Sequence, residues 1–341
     1  GYIKNNKGNY LNFFLKFFRI LPPELAHRLA LDSLNFIHKI GILNLFYKKP
    51  ELETFSFAGM NFRNRLGTAA GLDKNGDYID CLGELGFGFL EVGTVTPIEQ
   101  YGNSKPRVFR NFQDESIINR LGFNNKGVDH LVKNLKSRSF KGIVGVNVGA
   151  NKKSKGEQRV KDYLYCIEKV YKYADYITIN ISSPNTPNLR DLHNMDNLSD
   201  LVLSIEDKVK ELNIGIPFFL KISPDETNDS IDNIIKTVES SFFQGIIATN
   251  TTIDKTNLSN KKFNNIEGGL SGRPLMDRST ETIKAIKSKS DKEIPVIGVG
   301  GVMNAADFNK KIDAGSELVQ IYTGFVIKGP NILSDILKKD D

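Results

Sequence analysis

The sequence lacks the features that would place it in several large classes of protein. Its 341 residues include two cysteines, Cys81 and Cys166, 85 positions apart and without a Cys/His cluster near either. That excludes a disulfide scaffold and a thiolate metal site, and it suits a reducing compartment. No apolar run approaches the ~20 residues needed to span a bilayer, and no signal-peptide layout with a small-residue cleavage site is present. No repeat or low-complexity array appears. Charge of one sign is also scarce: 46 basic against 40 acidic side chains give +6. Residues 1–49 hold eight basic side chains and two acidic ones (Glu24, Asp32), so this segment carries the whole excess and residues 50–341 balance to zero. A neutral body with a basic head argues against a nucleic-acid groove and points one end of the molecule at an anionic surface.

What is present is ample for one large core plus an appendage, or for two ordinary domains: 40% apolar residues, with 22 Phe and 11 Tyr. The head reads as two helices. The first, about 10–21, sets Tyr10, Phe13, Phe14, Phe17, Phe18 and Leu21 on a broad apolar face. Pro22-Pro23 breaks the chain, and a second helix from Pro23 to about Gly41 places Leu25, Ala26, Leu29, Ala30, Phe36, Ile37 and Ile40 at helical spacing. Such a pair either packs on the body or lies in a membrane interface. From residue 66 onward, eight short β-rich runs alternate with helical stretches: 66–71, 87–94, 142–149, 176–182, 218–223, 245–250, 295–301 and 318–324. Most are continuously apolar, as parallel strands covered on both faces are. Eight such units predict an α/β fold, a (β/α)8 TIM barrel with an N-terminal two-helix amphipathic appendage. A doubly wound sheet is the alternative, disfavoured because no Gly-x-Gly-x-x-Gly turn follows the first run.

A barrel keeps its chemistry at the carboxyl ends of its strands. There the sequence places Asn147, Asn180 and Asn250, three carboxamides in otherwise apolar runs, where an unpaired buried amide costs about 1–3 kcal/mol. Carboxamides donate and accept side by side, which suits a flavin or a pyrimidine-dione. Gly300-Gly301 and Gly324, with Gly268-Gly269 and Gly272, suit a phosphate held by backbone N–H groups. Lys74 and Lys221 end runs in apolar surroundings and call for an anion, either a ligand or a neighbouring carboxylate such as Asp73. None of His27, His38, His130 and His193 falls at such an end, nor does a carboxylate pair. Zinc hydrolysis, histidine triads and glycosidase chemistry are therefore disfavoured, and no metal is expected.

Ala69-Ala70-Gly71-Leu72-Asp73-Lys74-Asn75-Gly76, Asn119-Arg120-Leu121-Gly122-Phe123-Asn124 and Asn180-Ile181-Ser182-Ser183-Pro184-Asn185-Thr186-Pro187 resemble the signatures of the dihydroorotate dehydrogenase family. Ala248–Thr252, Gly268–Gly272 and Gly298–Gly301 fit the same pattern. A serine rather than a cysteine at position 183, together with the basic two-helix head, resembles the quinone-dependent, membrane-associated class (class 2). The resemblance implies FMN-dependent oxidation of (S)-dihydroorotate to orotate with a quinone as acceptor, the fourth step of pyrimidine biosynthesis. It implies Ser183 as the base, aided by Thr186. Lys74, Asn119, Arg120, Leu121, Gly122, Phe123, Asn180, Asn185, Asn250 and Thr251 would bind the substrate. Ala70, Gly71, Thr94, Asn147, Asn180, Lys221, Thr249, Gly272, Gly301, Tyr322 and Thr323 would bind FMN.

His27, Arg110 and Tyr322 would meet the quinone head group. The implied division is a membrane and quinone-access segment over 1–45 and a catalytic barrel over 46–341, with residues 1–41 against an anionic membrane and no nucleic acid involved. The expected location is peripheral, on the cytoplasmic side of a bacterial inner membrane. Because the chain starts at Gly1 rather than Met, a removed upstream anchor would point to the mitochondrial inner membrane instead. Asn188 departs from the family, whose loop has glycine there. Asn tolerates left-handed backbone, so the turn is expected to survive, and lid mobility is the property in question.

Overall fold

A computed structural model describes residues 18–51, 53–185 and 195–338. Most of the expected first helix lies outside the described residues, as do Thr186, Asn188 and His193; residues 18–20 are helical. The second helix forms as expected, Pro23–Lys39, with Pro23 in its first turn.

A hairpin, β1 (Phe55–Phe57) and β2 (Met60–Phe62), precedes the barrel. β3 (Leu66–Thr68) and β4 (Phe89–Val95) follow, then a pair outside the barrel, β5 (Val108–Asn111) and β6 (Ser116–Asn119). After them come β7 (Ile143–Val148), β8 (Tyr176–Asn180), β9 (Phe218–Ile222) and β10 (Gly245–Ala248). β11 (Gly269–Gly272), β12 (Val296–Val299) and β13 (Leu318–Ile321) complete the set. β3, β4, β7, β8, β9, β10, β12 and β13 close into one parallel barrel with β13 paired back to β3. The antiparallel sheet β11-β6-β5 stands apart from the barrel and brings Asn119 and Gly272 to its mouth.

Alternation explains why the runs read as continuously apolar. Leu90, Val92, Ile177, Ile179, Phe218 and Leu220 pack outward into the helix layer, while Phe89, Tyr176, Phe219, Ile247, Ile297 and Leu318 point into the barrel. Both faces are covered, so neither needs polar residues. The inward aromatics form a floor sealed by the hairpin. Phe57 stacks on Phe219 with centroids 5.8 Å apart, and Phe62 meets Phe89 edge-on at 5.2 Å. Gly67 and Gly145 make room for it, since a Cβ there would stand 2.5 Å from the Phe89 ring and 2.0 Å from that of Tyr176.

The strands are shorter than the sequence runs. β3 stops at Thr68 and β10 at Ala248, so Ala69–Gly71 and Thr249–Asn250 are loop residues turned over the barrel mouth. The Pro23–Lys39 helix is not an isolated appendage: Leu31, with Leu43 and Tyr47 beyond it, joins the same apolar core as the barrel's outer layer.

Phe89→Ala should remove the centre of the floor and cost about 3–5 kcal/mol, read as a lowered denaturation midpoint; a loss below 1 kcal/mol would show that the hairpin, not the ring, seals the barrel.

Candidate active site

Side chains two residues apart on a strand share a face, so the floor dictates what lies above it. Two positions beyond Phe89, Tyr176, Phe219 and Leu318 come Glu91, Thr178, Lys221 and Gln320, and two further come Asn180 and Tyr322. A polar layer therefore rests on the aromatic one.

Glu91 is its centre, fully buried. Its Oε1 accepts from Asn147 Nδ2 at 2.8 Å. Its Oε2 accepts from Gln320 Nε2 at 2.7 Å, Tyr176 Oη at 2.9 Å and Thr178 Oγ1 at 3.2 Å. Burial and the Glu91 charge push the Tyr176 phenol well above its ordinary pKa, so it stays a donor. An ionised carboxylate only accepts, and that fixes the polarity of everything above it. Asn147 turns its NH2 to Glu91 and its carbonyl to the Thr94 hydroxyl, which donates at 2.6 Å. Thr94 Oγ1 in turn accepts from Asn180 Nδ2 at 3.0 Å, leaving Asn180 Oδ1 to accept from Ser182 Oγ at 3.0 Å. Asn250 Nδ2 donates to Ser182 Oγ at 3.0 Å.

Above this network lies a cavity with about 1010 Å³ of free space, open at its mouth. Among the described residues, all of those expected to hold substrate or flavin border it except Asn147 and Arg120. Asn147 sits one layer below, its amide consumed by Thr94 and Glu91. Arg120 corrects the sequence reading. Its neighbours Asn119 and Leu121 turn inward, so alternation sends its side chain out, where it donates to Pro106 O at 3.0 Å and lies over the Phe109 ring. Thr186 lies outside the described residues.

The two lysines resolve differently from a plain salt bridge. Asp73 is buried and spends its carboxylate on the N–H groups of Asp77 and Tyr78 at 3.0 and 2.8 Å, with burial raising its pKa to about 6. Lys74 Nζ instead donates to Asn124 Oδ1 at 2.6 Å, and burial together with the nearby Arg107 charge lowers its pKa to about 7. Lys221 borders the cavity with no ion pair among the described residues; burial lowers its pKa and the Glu91 charge opposes that. Ser183 is buried at the cavity edge, its Oγ accepting from Asn185 N–H at 3.3 Å. Asn185 Nδ2 donates to Asn119 O at 3.0 Å, joining the serine loop to β6.

His27 and Arg110 lie outside this cavity, on an apolar cleft between the Pro23–Lys39 helix and the barrel that Leu34, Phe112 and Val326 also line. His27 Nε2–H donates to Leu72 O at 2.9 Å, and burial with the Lys74 charge lowers its pKa to about 4. The Arg110 guanidinium is taken up by the carbonyls of Phe18, Arg19 and Leu21. Tyr322 borders the main cavity and stacks on His27, centroids 6.4 Å apart, so it separates the two spaces.

Glu91 and Gln320 escaped the sequence reading. The signal was there, in a charged residue inside the 87–94 run on the same parity as Phe89.

The structure is a (β/α)8 barrel with a polar, lysine-bearing mouth and an apolar side cleft. The family model for dihydroorotate dehydrogenase matches residues 52–339. "Dihydroorotate dehydrogenase (quinone)" of Buchnera aphidicola is 47% identical over 324 residues, covering 94% of this chain and 96% of that protein. The Vibrio cholerae protein of the same name is 47% identical, with 93% and 96% covered. Among solved structures, DHODH from Eimeria tenella in complex with ferulenol superposes with a TM-score of 0.83 at 32% identity, covering 91% of this chain and 89% of that one. The chain belongs to the dihydroorotate dehydrogenase family, flavin-dependent oxidoreductases of pyrimidine biosynthesis.

Glu91→Gln should place an NH2 against donors and cost about 1–3 kcal/mol of stability, measured by chemical denaturation. An unchanged midpoint would mean that the network does not depend on an acceptor-only group.

Proposed function

We propose that this protein oxidises (S)-dihydroorotate to orotate with FMN as its flavin and a membrane quinone as acceptor. The observation that carries this reading is the convergence of Lys74, Lys221, Ser183, Asn119, Leu121–Phe123, Asn180 and Asn185 on one cavity. The cavity fits FMN on two counts. Lys221 brings to its wall an ammonium with no ion-pair partner among the described residues, and Gly71, at φ +97°, keeps free the space beside the Tyr322 ring that a Cβ would fill at 3.5 Å. At the phosphate end, Gly272 and Gly301 adopt φ of +97° and +83°. Their outer sides are closed by Glu115 O and Met276, each within 2.4 Å of where a Cβ would stand, which suits backbone N–H groups presented to a phosphate.

FMN held there would supply the hydride acceptor for C6 of dihydroorotate and the route by which electrons reach the quinone. The remaining work belongs to the chain. Lys74 holds the substrate carboxylate. Asn180, Asn185, Asn250 and Thr251 present donors and acceptors to the pyrimidine edges, Asn180 and Asn250 in the sense imposed from Glu91 through Thr94 and Ser182. Ser183 Oγ takes the C5 proton, a task for a weak base that needs a dry site and a relay, for which Thr186 is the candidate. Lys221 offsets negative charge building on the ring system beside it.

The same reading assigns residues 1–45 to membrane and quinone access and 46–341 to catalysis. Ile20, Phe36, Leu45 and Phe46 are exposed on the head, beside Arg19, Lys39, Lys48 and Lys49. That combination suits peripheral attachment to an anionic bilayer, here the cytoplasmic side of a bacterial inner membrane. No helix among the described residues is long and apolar enough to cross a membrane. The quinone head would meet His27, Arg110 and Tyr322 in the apolar cleft.

Two experiments test this. The purified protein should be yellow and should bleach with dihydroorotate without oxygen. Ser183→Ala should slow bleaching by about 10²–10⁴-fold with flavin retained, whereas an unchanged rate would remove the serine from its role. For the quinone half, His27, with a pKa lowered to about 4, is neutral throughout the neutral range. Reoxidation by a quinone analogue should therefore show no inflection near pH 6.5, and one that disappears in His27→Gln would refute the neutral imidazole.

A further inference from the structure

The first turn of the Pro23–Lys39 helix reaches the substrate side of the barrel mouth. Its Glu24 grips Arg107 with both carboxylate oxygens: Nη2 lies 2.8 Å from Oε1, and Nε lies 3.1 and 3.2 Å from Oε1 and Oε2. The Arg107 side chain is only 5% exposed, and a two-pronged pair of this kind fixes orientation as well as charge. Its remaining arm, Nη1, donates to the carbonyls of Tyr101 at 2.5 Å and Asn103 at 2.9 Å. Asn103 passes the constraint on: its N–H donates to Leu121 O at 3.0 Å and its Nδ2 to Arg120 O at 2.8 Å. Arg107 O itself accepts from Arg120 N–H at 2.8 Å. The backbone pinned in this way is the one whose Asn119, Leu121 and Gly122 border the cavity.

Glu24, Arg107, Lys74 and Leu121 also share a polar cleft beside that cavity. Of the charged groups around Lys74, Arg107 opposes its positive charge and Glu24 favours it. Asp73 is committed to backbone N–H groups, and Asp77 to Lys126 and His130. His27 is neutral, while Arg28, Glu99 and Lys105 are exposed at the outer side of the cleft.

We propose that Glu24 is a substrate-positioning residue: through Arg107 it fixes the Arg120–Gly122 backbone, and it places a carboxylate in the cleft that Lys74 also lines, where its charge bears on the lysine that meets an anionic substrate. The helix assigned to membrane and quinone access is then also one wall of the orotate site. This inference rests on the reading of Lys74 as the partner of the substrate carboxylate.

The test is calorimetric titration of full-length, flavin-loaded protein with orotate across about pH 6–9, with bound flavin per chain as the check on folding. An ammonium with a pKa near 7 binds an anion best below that value, so wild-type affinity should fall as pH rises through it. Glu24→Gln removes the favourable charge and should move the fall to lower pH, weakening orotate about tenfold at pH 8 for each unit of displacement. Glu24→Asp keeps the charge and should retain the wild-type pH profile. Lys74→Met should bind weakly at every pH. Wild-type affinity and profile in Glu24→Gln, or a Gln-like profile in Glu24→Asp, overturns the proposal. If Lys74→Met alone weakens binding, the substrate reading survives that failure; if neither variant weakens it, both fall.

Discussion

A carboxylate sealed inside a barrel must be met by donors from several directions, and in this protein Glu91 is that constraint. Four side chains from three other strands turn their hydrogens toward it. Because the group only accepts, each partner loses the freedom to present its other end. The loss propagates upward through Asn147, Thr94 and Asn180, so the Asn180 amide at the cavity wall is held in one fixed sense. Pre-set donors and acceptors need no reorganisation when a ligand arrives, which is how a site of carboxamides gains both selectivity and speed. The arrangement costs stability, since a buried carboxylate gives up its hydration. It persists because both Glu91 oxygens are satisfied.

Charge at the mouth is arranged by similar logic but nearer to solvent. Lys74 and Lys221 are buried and form no ion pair among the described residues, so each is short of negative charge until a ligand provides it. That makes the site an anion trap by omission. The carboxylates whose charge favours the ammonium are Glu91 for Lys221 and Glu24 for Lys74, and the latter belongs to the N-terminal helix. One segment therefore has three tasks: it yields Leu31 to the core, carries exposed apolar and basic residues on its outer side, and holds the Arg107 arm over the substrate loop.

Much of this was legible before any coordinates. Eight apolar runs at βα spacing announce a barrel because parallel strands are covered twice. The amides, lysines and glycines at their ends mark the mouth because such residues are out of place in a strand otherwise made for burial. Three features did not follow. Glu91 is the one charged residue in an otherwise apolar run, and nothing next to it in sequence names its partners. Arg120 lies in a motif whose members are adjacent in sequence, yet alternation sends it away from its neighbours. Asn147 is of the right type at the right strand end, but it lies beneath Thr94 and serves the site through it.

The sequence by itself determined what was local: which segments are strands and which chemical groups stand at the carboxyl ends. Hydrophobic run length and propensity are properties of a few consecutive residues. Only the tertiary structure decided which of those groups meet. Glu91 and Gln320 are 229 residues apart, and Glu24 and Arg107 are 83 apart. Such partners are chosen by closure of the barrel and by the docking of a helix across its mouth. Contacts of that kind depend on how the whole chain encloses its interior, and no short stretch of sequence encodes them.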